Sequence, residues 1–569
     1  MSAAAANVQT FSADQKEYLT GLFAGIAARG VGFGDVAPNP AADGKPAPDD
    51  LIFEERVKRE LHPLDAYQQL LDNAATNKAP DKEDTFRFKW NGLFFLTPVK
   101  DAFMARLRIP GGVLKTFQLR ELAHIARDLT TGYVQITTRA NLQMRLIAPK
   151  DTLELLRRVQ SVGLHTRGAG ADNIRNLTAN PTAGVDSVEL IDVMPFVHEL
   201  AQVIINDRAF YDMPRKFNIA YDGGGLIGSV EDTNDIGVKA VNVGEEVFFR
   251  IALGGATGHK AFARDIAVIV PPVQINKVVA ALVRVFIANG NRTDRKKARL
   301  KHLLEKWTLE QYLAETEKLL GFALTRSPFD AAQMHYPGQT LPHTHVGDYP
   351  QKQRGLNYVG VTIPVGQITA KQMIRLAEIA DLYGSGEVRL TVWQNLIIPN
   401  IPDAFVPTVK RALDKAGLGT KQSNITSGII ACTGNSYCKF AQSCTKEHAL
   451  ALGKYLERKL ELDQPVNIHL TGCPNSCAQH YMGDIGLLGT KVKIGGESVD
   501  GYHVFVGGGF GKHQAVGRQV FNGVAAGDLP LTIEKTLRAY LKYRQGKESF
   551  QSFTTRHEVK ALQEMFSNE

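Results

Sequence analysis

Residues 107–142 read LRIPGGVLKTFQLRELAHIARDLTTGYVQITTRANL, and residues 361–396 read VTIPVGQITAKQMIRLAEIADLYGSGEVRLTVWQNL. Laid over each other at an offset of 254 without a gap, they share thirteen identical residues, among them Pro110/Pro364, Gly112/Gly366, Gln118/Gln372, Gly132/Gly386, Thr137/Thr391 and Asn141/Asn395. Unrelated segments do not agree so often, so the chain reads as an internal duplication. Each copy has the same local pattern. An alternating run (104–109; 358–363) predicts a strand ending in a Pro-Gly turn. Apolar residues at helical spacing follow (Leu119, Leu122, Ala123, Ala126; Ile374, Leu376, Ala377, Ala380), and a second strand (133–137; 387–391) closes the unit.

The copies differ in charge. Arg106 and Arg139 of the first stand where the second has Gly360 and Trp393. The shared residues account for a common fold, and the arginines are surplus to it. The first copy is therefore expected to serve an anion site and the second to be structural. Residues 137–145 read Thr-Thr-Arg-Ala-Asn-Leu-Gln-Met-Arg; on a strand, Arg139, Asn141, Gln143 and Arg145 would share one face. Arg175, and then Arg215 and Lys216 with Asn218, add further polar groups. Any one of these is most simply an exposed surface residue, but together they point to a ligand with several carboxylates. Arginine grips a carboxylate through two donors, and lysine offers a compact charge or a proton.

All five cysteines lie within residues 432–477: Cys432, Cys438, Cys444, Cys473 and Cys477. Gaps of five and three residues between paired thiols do not suit a zinc ribbon. They suit an iron–sulfur cluster on four cysteines. Spacing alone allows Cys438 and Cys444 as the first pair as readily as Cys432 and Cys438. Two disulfides are the plain alternative, but disulfide frameworks belong to small secreted chains. The N-terminus has no basic stretch followed by an apolar one, so no export signal is expected and a cytoplasmic location is.

Composition narrows less. The chain has 569 residues, enough for several domains, and is 44% hydrophobic and 22% charged. Its net charge is +8, which favours an acidic partner or anionic ligands. No apolar run of membrane-spanning length and no aromatic-and-basic nucleic-acid motif is present, so neither membrane nor nucleic acid is expected as a partner.

The cysteine motifs, the Ile-Pro-Gly-Gly strand end, the Thr-Thr-Arg-x-Asn-x-Gln-x-Arg segment and Pro214-Arg215-Lys216-Phe217-Asn218 together resemble the sirohaem-dependent nitrite and sulfite reductases, in that family's order from about Phe95 to about residue 550. The resemblance is nearest to the ferredoxin-type assimilatory nitrite reductases. It implies an α+β, internally duplicated, three-domain architecture with pseudo-twofold symmetry. It implies a [4Fe–4S] cluster on Cys432, Cys438, Cys473 and Cys477, with Cys477 also the proximal ligand of sirohaem. Arg106, Arg175 and Lys216 would face the substrate, and Arg139, Gln143, Arg145, Arg215 and Asn475 would hold sirohaem carboxylates or their surroundings. Cys444 matches no ligand. The activity implied is six-electron reduction of nitrite to ammonia, with electrons from reduced ferredoxin or a similar acidic carrier. Sulfite reduction is the alternative, and a non-catalytic metal-binding scaffold is a further one. Sulfite reductases of the family typically carry Lys where this chain has Asn218, and one fewer cation favours nitrite.

The implied organisation is an N-terminal helical extension (1–95), a first ferredoxin-like repeat (96–165), a sirohaem-binding lobe (166–330), a second repeat (350–420) and an iron–sulfur lobe (421–569). Helical stretches are expected at 13–29 and 54–72. A final helical segment at 533–566 is expected to wrap an earlier lobe. Gly223–Gly228 matches G-x-G-x-x-G, but no apolar helix follows. Residues 507–513 read as a glycine turn. His343 and His345 fall in a Pro- and His-rich connector, residues 326–354.

Overall fold

A computed structural model of the protein describes residues 51–96, 101–327 and 345–569. The two repeats form one body because they exchange a strand. The first sheet runs Leu93–Phe95, Phe103–Arg106, Leu142–Ile147, Tyr133–Ile136 and then Gln367–Thr369, which comes from the second repeat. The second runs Gly347–Pro350, Leu356–Val361, Leu396–Pro402, Glu387–Leu390 and then Val113–Lys115 from the first. These exchanged strands follow the Pro-Gly turns and are only three residues long, too short to show a period in sequence.

The shared residues explain the exchange. Gly112 and Gly366 have φ of 75° and 70°, and a Cβ on either would lie 2.6 Å from a carbonyl of the opposite repeat, Leu390 or Ile136. Thr116 N–H donates to Gly386 O (3.0 Å) and Ala370 N–H to Gly132 O (2.9 Å), a reciprocal pair across the pseudo-twofold axis. Gln118 and Gln372 accept the N–H groups of Lys115 and Thr369 at 3.0 and 3.1 Å, which starts the helices Thr116–Leu129 and Ala370–Tyr383. Those helices and both sheets bury one continuous core that includes Leu122, Ile136, Leu376 and Leu390.

The lobes are duplicated as well. In the first, Ile219–Asp222 pairs parallel with Ile236–Val243, followed by antiparallel Glu246–Leu253, Arg264–Val270 and Thr325–Arg326. In the second, Ile429–Ala431, Ile468–Thr471 and Ile485–Ile494 are parallel, and Glu497–Val506 and Arg518–Ala525 complete the sheet antiparallel. Residues 174–178 bridge parallel to 217–220, supplying the first lobe's counterpart of Ile429–Ala431. An offset of 249, from Asp222 to Thr471, superposes the hydrogen bonds. Ser229 N–H donates to Asp222 Oδ2 (3.1 Å) and Ala478 N–H to Thr471 Oγ1 (3.2 Å). Asn218 N–H donates to Asp235 Oδ2 and Asn467 N–H to Asp484 Oδ2, both at 2.8 Å. Each lobe has its own core.

Several expectations need correction. Leu93–Phe95, assigned to the N-terminal extension, is the edge strand of the first sheet. The helix expected over 54–72 is two, Phe53–Glu60 and Tyr67–Thr76, because Pro63 disfavours helical geometry at the residue before it. The helix expected over 13–29 lies outside the described residues. The last helices, Leu529–Tyr543, Phe550–Arg556 and Val559–Ser567, pack into the core of their own lobe, not around an earlier one. No helix among the described residues is long and apolar enough to cross a membrane.

Candidate active site

Ile429–Ala431 and Ile468–Thr471 are adjacent and parallel, so the chain leaves both at the same end, where parallel sheets place their ligand-binding loops. Cys432 and Cys473 lie just beyond those ends. Cys432 N–H donates to Leu470 O (3.0 Å), and Gly472 N–H reaches Cys432 Sγ (3.2 Å). Cys477 is accessible to solvent although protein surrounds it, as a thiol on the floor of a deep cleft would be. Burial pushes its thiol up to about 12; Cys432, Cys473 and Cys438 add to that rise, while Lys216 opposes it. Cys444 stands apart at the entry to helix Thr445–Lys459, its sulfur 3.5 Å from Ser436 Oγ. Among the described residues no three ligating side chains converge on a single ion. Four thiols near one another on two loops fit a polynuclear cluster.

The cations come from several elements. Arg106 ends strand Phe103–Arg106, and Arg175 follows the first repeat; both donate to Ala169 O, at 3.3 and 2.5 Å. Arg175 also donates to Ala171 O (2.7 Å), and its Nε is buried without a partner. Burial and then neighbouring Arg106 hold the Arg175 guanidinium well below the usual arginine range. Lys216 is pushed down to about 7 by burial and by Arg299, Arg175 and Arg215, against the pull of Cys477. The nearby carboxylates already have partners. Asp235 is held by Arg299 at 3.1 and 2.7 Å, and Asp172 by Arg295 at 2.7 and 2.8 Å. A buried cluster of cations that lacks enough carboxylates of its own is a site for anions.

The expected one-faced stripe does not exist as such. Residues 137–141 form a turn, with Thr137 N–H donating to Asn141 O (2.8 Å) and Ala140 at φ 46°. Arg139 therefore projects from the turn; its donors reach Asn176 O (2.6 Å), Ile219 O (3.2 Å) and Asn234 Oδ1 (2.8 Å), which tie the repeat to the first lobe. Burial pushes it down to about 10. Asn141 is spent on the turn, donating to Leu107 O and accepting from Leu142 N–H. Only Gln143 and Arg145 share a strand face, because the period of two begins after the turn. Arg145, pushed down to about 10 by burial, donates to Gln135 (2.9 Å), to Gln143 (2.6 Å) and to Thr433 in the first cysteine loop (2.6 Å). It also lies 5.4 Å from the Tyr437 ring centroid.

Arg215 is half-buried, with Nη1 3.6 Å from Asp172. Asn218 is anchored through its backbone on Asp235. Burial pushes the Cys473 thiol up, and hydrogen bonds from Asn475 oppose that rise. Sequence reasoning missed five contributors. Thr138 Oγ1 donates to Cys477 O (2.9 Å), and only its place beside Arg139 hinted at this. Lys446, two residues past Cys444, donates to Val365 O and to Ala431 O (3.3 Å) behind Cys432. Arg299 has no motif around it. Trp90 Nε1 and Lys58 Nζ donate to Tyr211 O and Met213 O, both at 3.0 Å, so the N-terminal helices brace the segment that carries Arg215 and Lys216.

The glycine-rich Gly223–Gly228 is followed by the short 3-10 turn Glu231–Thr233. It is the first lobe's counterpart of the Cys473 loop. The turn Gly511–His513 joins the lobes, with Gly511 N–H donating to Asp232 Oδ2 (2.8 Å). His345 is buried, with Nε2 3.0 Å from Asn395 Nδ2, and His343 lies outside the described residues.

Known proteins share this arrangement. The family described as "Nitrite and sulphite reductase 4Fe-4S domain" matches residues 170–324 and again 424–566. The "Nitrite/Sulfite reductase ferredoxin-like half domain" matches 98–162 and 349–416. A ferredoxin–nitrite reductase of Synechococcus elongatus is 36% identical over 493 residues, covering 85% of this chain and 95% of the relative. The assimilatory ferredoxin-dependent nitrite reductase of Haloferax mediterranei is 31% identical, covering 82% and 84%. The solved structure of the Mycobacterium tuberculosis NirA protein superposes with a TM-score of 0.84 at 30% identity, covering 90% of this chain and 97% of that one.

Proposed function

Because the chain belongs to the nitrite and sulphite reductase family, we propose that it reduces nitrite to ammonia with six electrons from an external donor of the ferredoxin type. Its prosthetic groups are sirohaem and a [4Fe–4S] cluster, which would supply a redox-active iron and a store of electrons. Cys432, Cys438, Cys473 and Cys477 would hold the cluster, and Cys477 would also serve the haem. The donor set fits them: neighbouring thiols on two loops, beside more buried cations than the chain balances.

Arg106, Arg175 and Lys216 bind the anion and stabilise negative charge as the N–O bonds break; Lys216 can also give a proton. Arg215 and Asn475, whose donors are not exhausted, serve sirohaem carboxylates directly. Arg139, Gln143 and Arg145 serve them mainly by fixing the loops around the cavity. Asn218 keeps the site one cation short of the sulfite pattern. The net charge of +8 supports salt-sensitive docking of an acidic ferredoxin. Five unpaired thiols suit a reducing compartment such as the cytoplasm.

One observation carries this reading: Arg145 of the first repeat donates to Thr433 in the first cysteine loop (2.6 Å), which ties the repeat's cations to the thiols. The test is product analysis with reduced ferredoxin and either anion. Ammonium from nitrite at a rate well above sulfide from sulfite is expected. The reverse ratio moves the assignment to sulfite, and neither product leaves the metal-binding scaffold.

A further inference from the structure

Reducing nitrite consumes protons as well as electrons: NO₂⁻ + 6 e⁻ + 8 H⁺ → NH₄⁺ + 2 H₂O. Both N–O bonds break, their oxygens leave as water, and four N–H bonds form. The donor supplies the electrons. The protons must come from bulk water into a cavity lined by cations, which repel them.

A second cavity, of about 310 Å³, opens in the first lobe and is lined by Arg292, Lys297, His302 and Lys306 among others. His302 sits in the short helix Leu300–Leu303, half-buried, and its Nδ1 is buried without a hydrogen-bond partner. Its ring meets that of His259 edge to face, with centroids 5.1 Å apart. His259 ends the turn Thr257–His259, and that turn abuts the cysteine loop: a Cβ on Gly258 would stand 3.1 Å from Asn475 O and 3.2 Å from Pro474 O. On the other side, the helix bearing His302 is entered from Arg299. Arg299 bonds Asp235 at 2.7 Å, and Asp235 accepts the backbone N–H of Asn218 at 2.8 Å, two residues from Lys216. The histidine pair thus spans the wall between an outer cavity and the candidate active site.

We propose that His302 and His259 carry protons from this outer cavity to Lys216 during turnover, an inference that rests on the nitrite-reducing reading above. Cations surround the His259 ring, whereas the His302 ring stands between cations and carboxylates. Arg299, Lys301 and Lys216 face His259, and Lys301 and Arg299 face His302 against Glu305 and Asp294. Burial holds both imidazoles below their usual range, with the surrounding cations adding to it at His259, so each is neutral near pH 7. A neutral imidazole can accept a proton at one nitrogen while donating from the other, as a relay requires.

The test uses the holoenzyme with reduced methyl viologen, so that donor docking plays no part. His302→Gln and His259→Gln are compared with the parent in kcat, KM for nitrite, solvent isotope effect, the nitrite-induced change in haem absorption, and proton uptake followed with an indicator dye after mixing reduced enzyme with nitrite. Each variant should lose about tenfold or more in kcat, show a larger isotope effect and take up protons more slowly. KM and the nitrite-induced spectrum should hold, and added imidazole should restore His302→Gln through the open cavity. Should His259→Gln fail to hold haem, His302→Gln with its imidazole rescue decides alone. Unchanged kcat, isotope effect and proton uptake would overturn the inference, as would a loss of kcat that comes with an altered spectrum and resists imidazole. A parent enzyme that makes no ammonium sinks the nitrite reading itself; a parent that does, with variants its equal, sinks only the relay.

Discussion

The two lobes share a backbone and differ in what it holds. In the second, Gly472 N–H donates to Cys432 Sγ at 3.2 Å; in the first, the equivalent Gly223 N–H donates to Asn180 Oδ1 at 2.7 Å. Val230 and Gln479 keep the same φ of 56° at matching places in the following loops. Yet the first lobe's loop is closed by its own groups. Asn180 Nδ2 donates to Ile227 O (2.6 Å), Leu226 N–H donates to Asp186 Oδ2 (2.8 Å), and Ile227 packs on Tyr358 and Ile397 of the second repeat. Ile397 occupies the place of Gln143, whose strand neighbour Arg145 donates to Thr433 of the second lobe, so the first lobe's loop meets an apolar side chain where the second's meets a cation. A hydrogen bond that accepts sulfur or oxygen equally preserves the loop shape in both lobes. A handful of side-chain exchanges then decides which lobe does chemistry.

The sharpest way to break this comparison is to alter matching positions. Cys477→Ser should lose haem absorption, cluster iron and ammonium formation together. Asn180→Ala, at the counterpart of Cys432, should cost about 1–3 kcal/mol by orphaning the Gly223 N–H, measured by chemical denaturation, and leave iron content unchanged. Iron loss in Asn180→Ala would contradict the division of labour. Next in size, Lys216→Gln should reduce kcat/KM for nitrite by about 100-fold while iron and haem content hold, because it removes a cation and a proton from the substrate side. Normal turnover in that variant would remove Lys216 from the site.

The aspartates offer a third contrast. Asp235→Asn leaves Arg299 buried without its carboxylate and should cost about 3–5 kcal/mol. Asp484, its counterpart, is pushed up to about 7 by burial from an ordinary value of 3.8. Between those two values the folded state holds a proton that the unfolded state has released, so this group's contribution to stability declines as pH rises through that window. Asp484→Asn should therefore gain on the parent between pH 5 and pH 8 in urea denaturation; an equal difference at both pH values would contradict the assignment. The smallest effect expected is from Asn218→Lys, a few-fold rise in the sulfite-to-nitrite turnover ratio, and an unchanged ratio would remove Asn218 as the discriminator.

Much of this was legible in the sequence where chemistry and backbone demands coincide. Gly112, Gln118 and their counterparts stayed identical because each is tied to a carbonyl contact or a helix start, so the repeat could be aligned by eye. The clustering of thiols needed no structure. The lobe duplication was hidden because Asp222 and Thr471, or Asn180 and Cys432, do the same job with different atoms. The exchanged strands were too short to show a period, and the turn at Ala140 broke a stripe that alternation had drawn through it. Arg299 and Lys446 were invisible because their roles arise from distant segments brought together by the lobes.

The central claim is that two loops of one lobe hold a cluster joined to sirohaem beside the cations of the first repeat. Its most direct test is the absorption spectrum and the iron and acid-labile sulfide content of protein produced with sirohaem synthesis intact, before and after nitrite is added. Sirohaem bands that shift with nitrite, with iron and sulfide in the ratio of one cubane plus one haem iron per chain, are predicted. Zinc in place of iron, or iron without a tetrapyrrole spectrum, would contradict it.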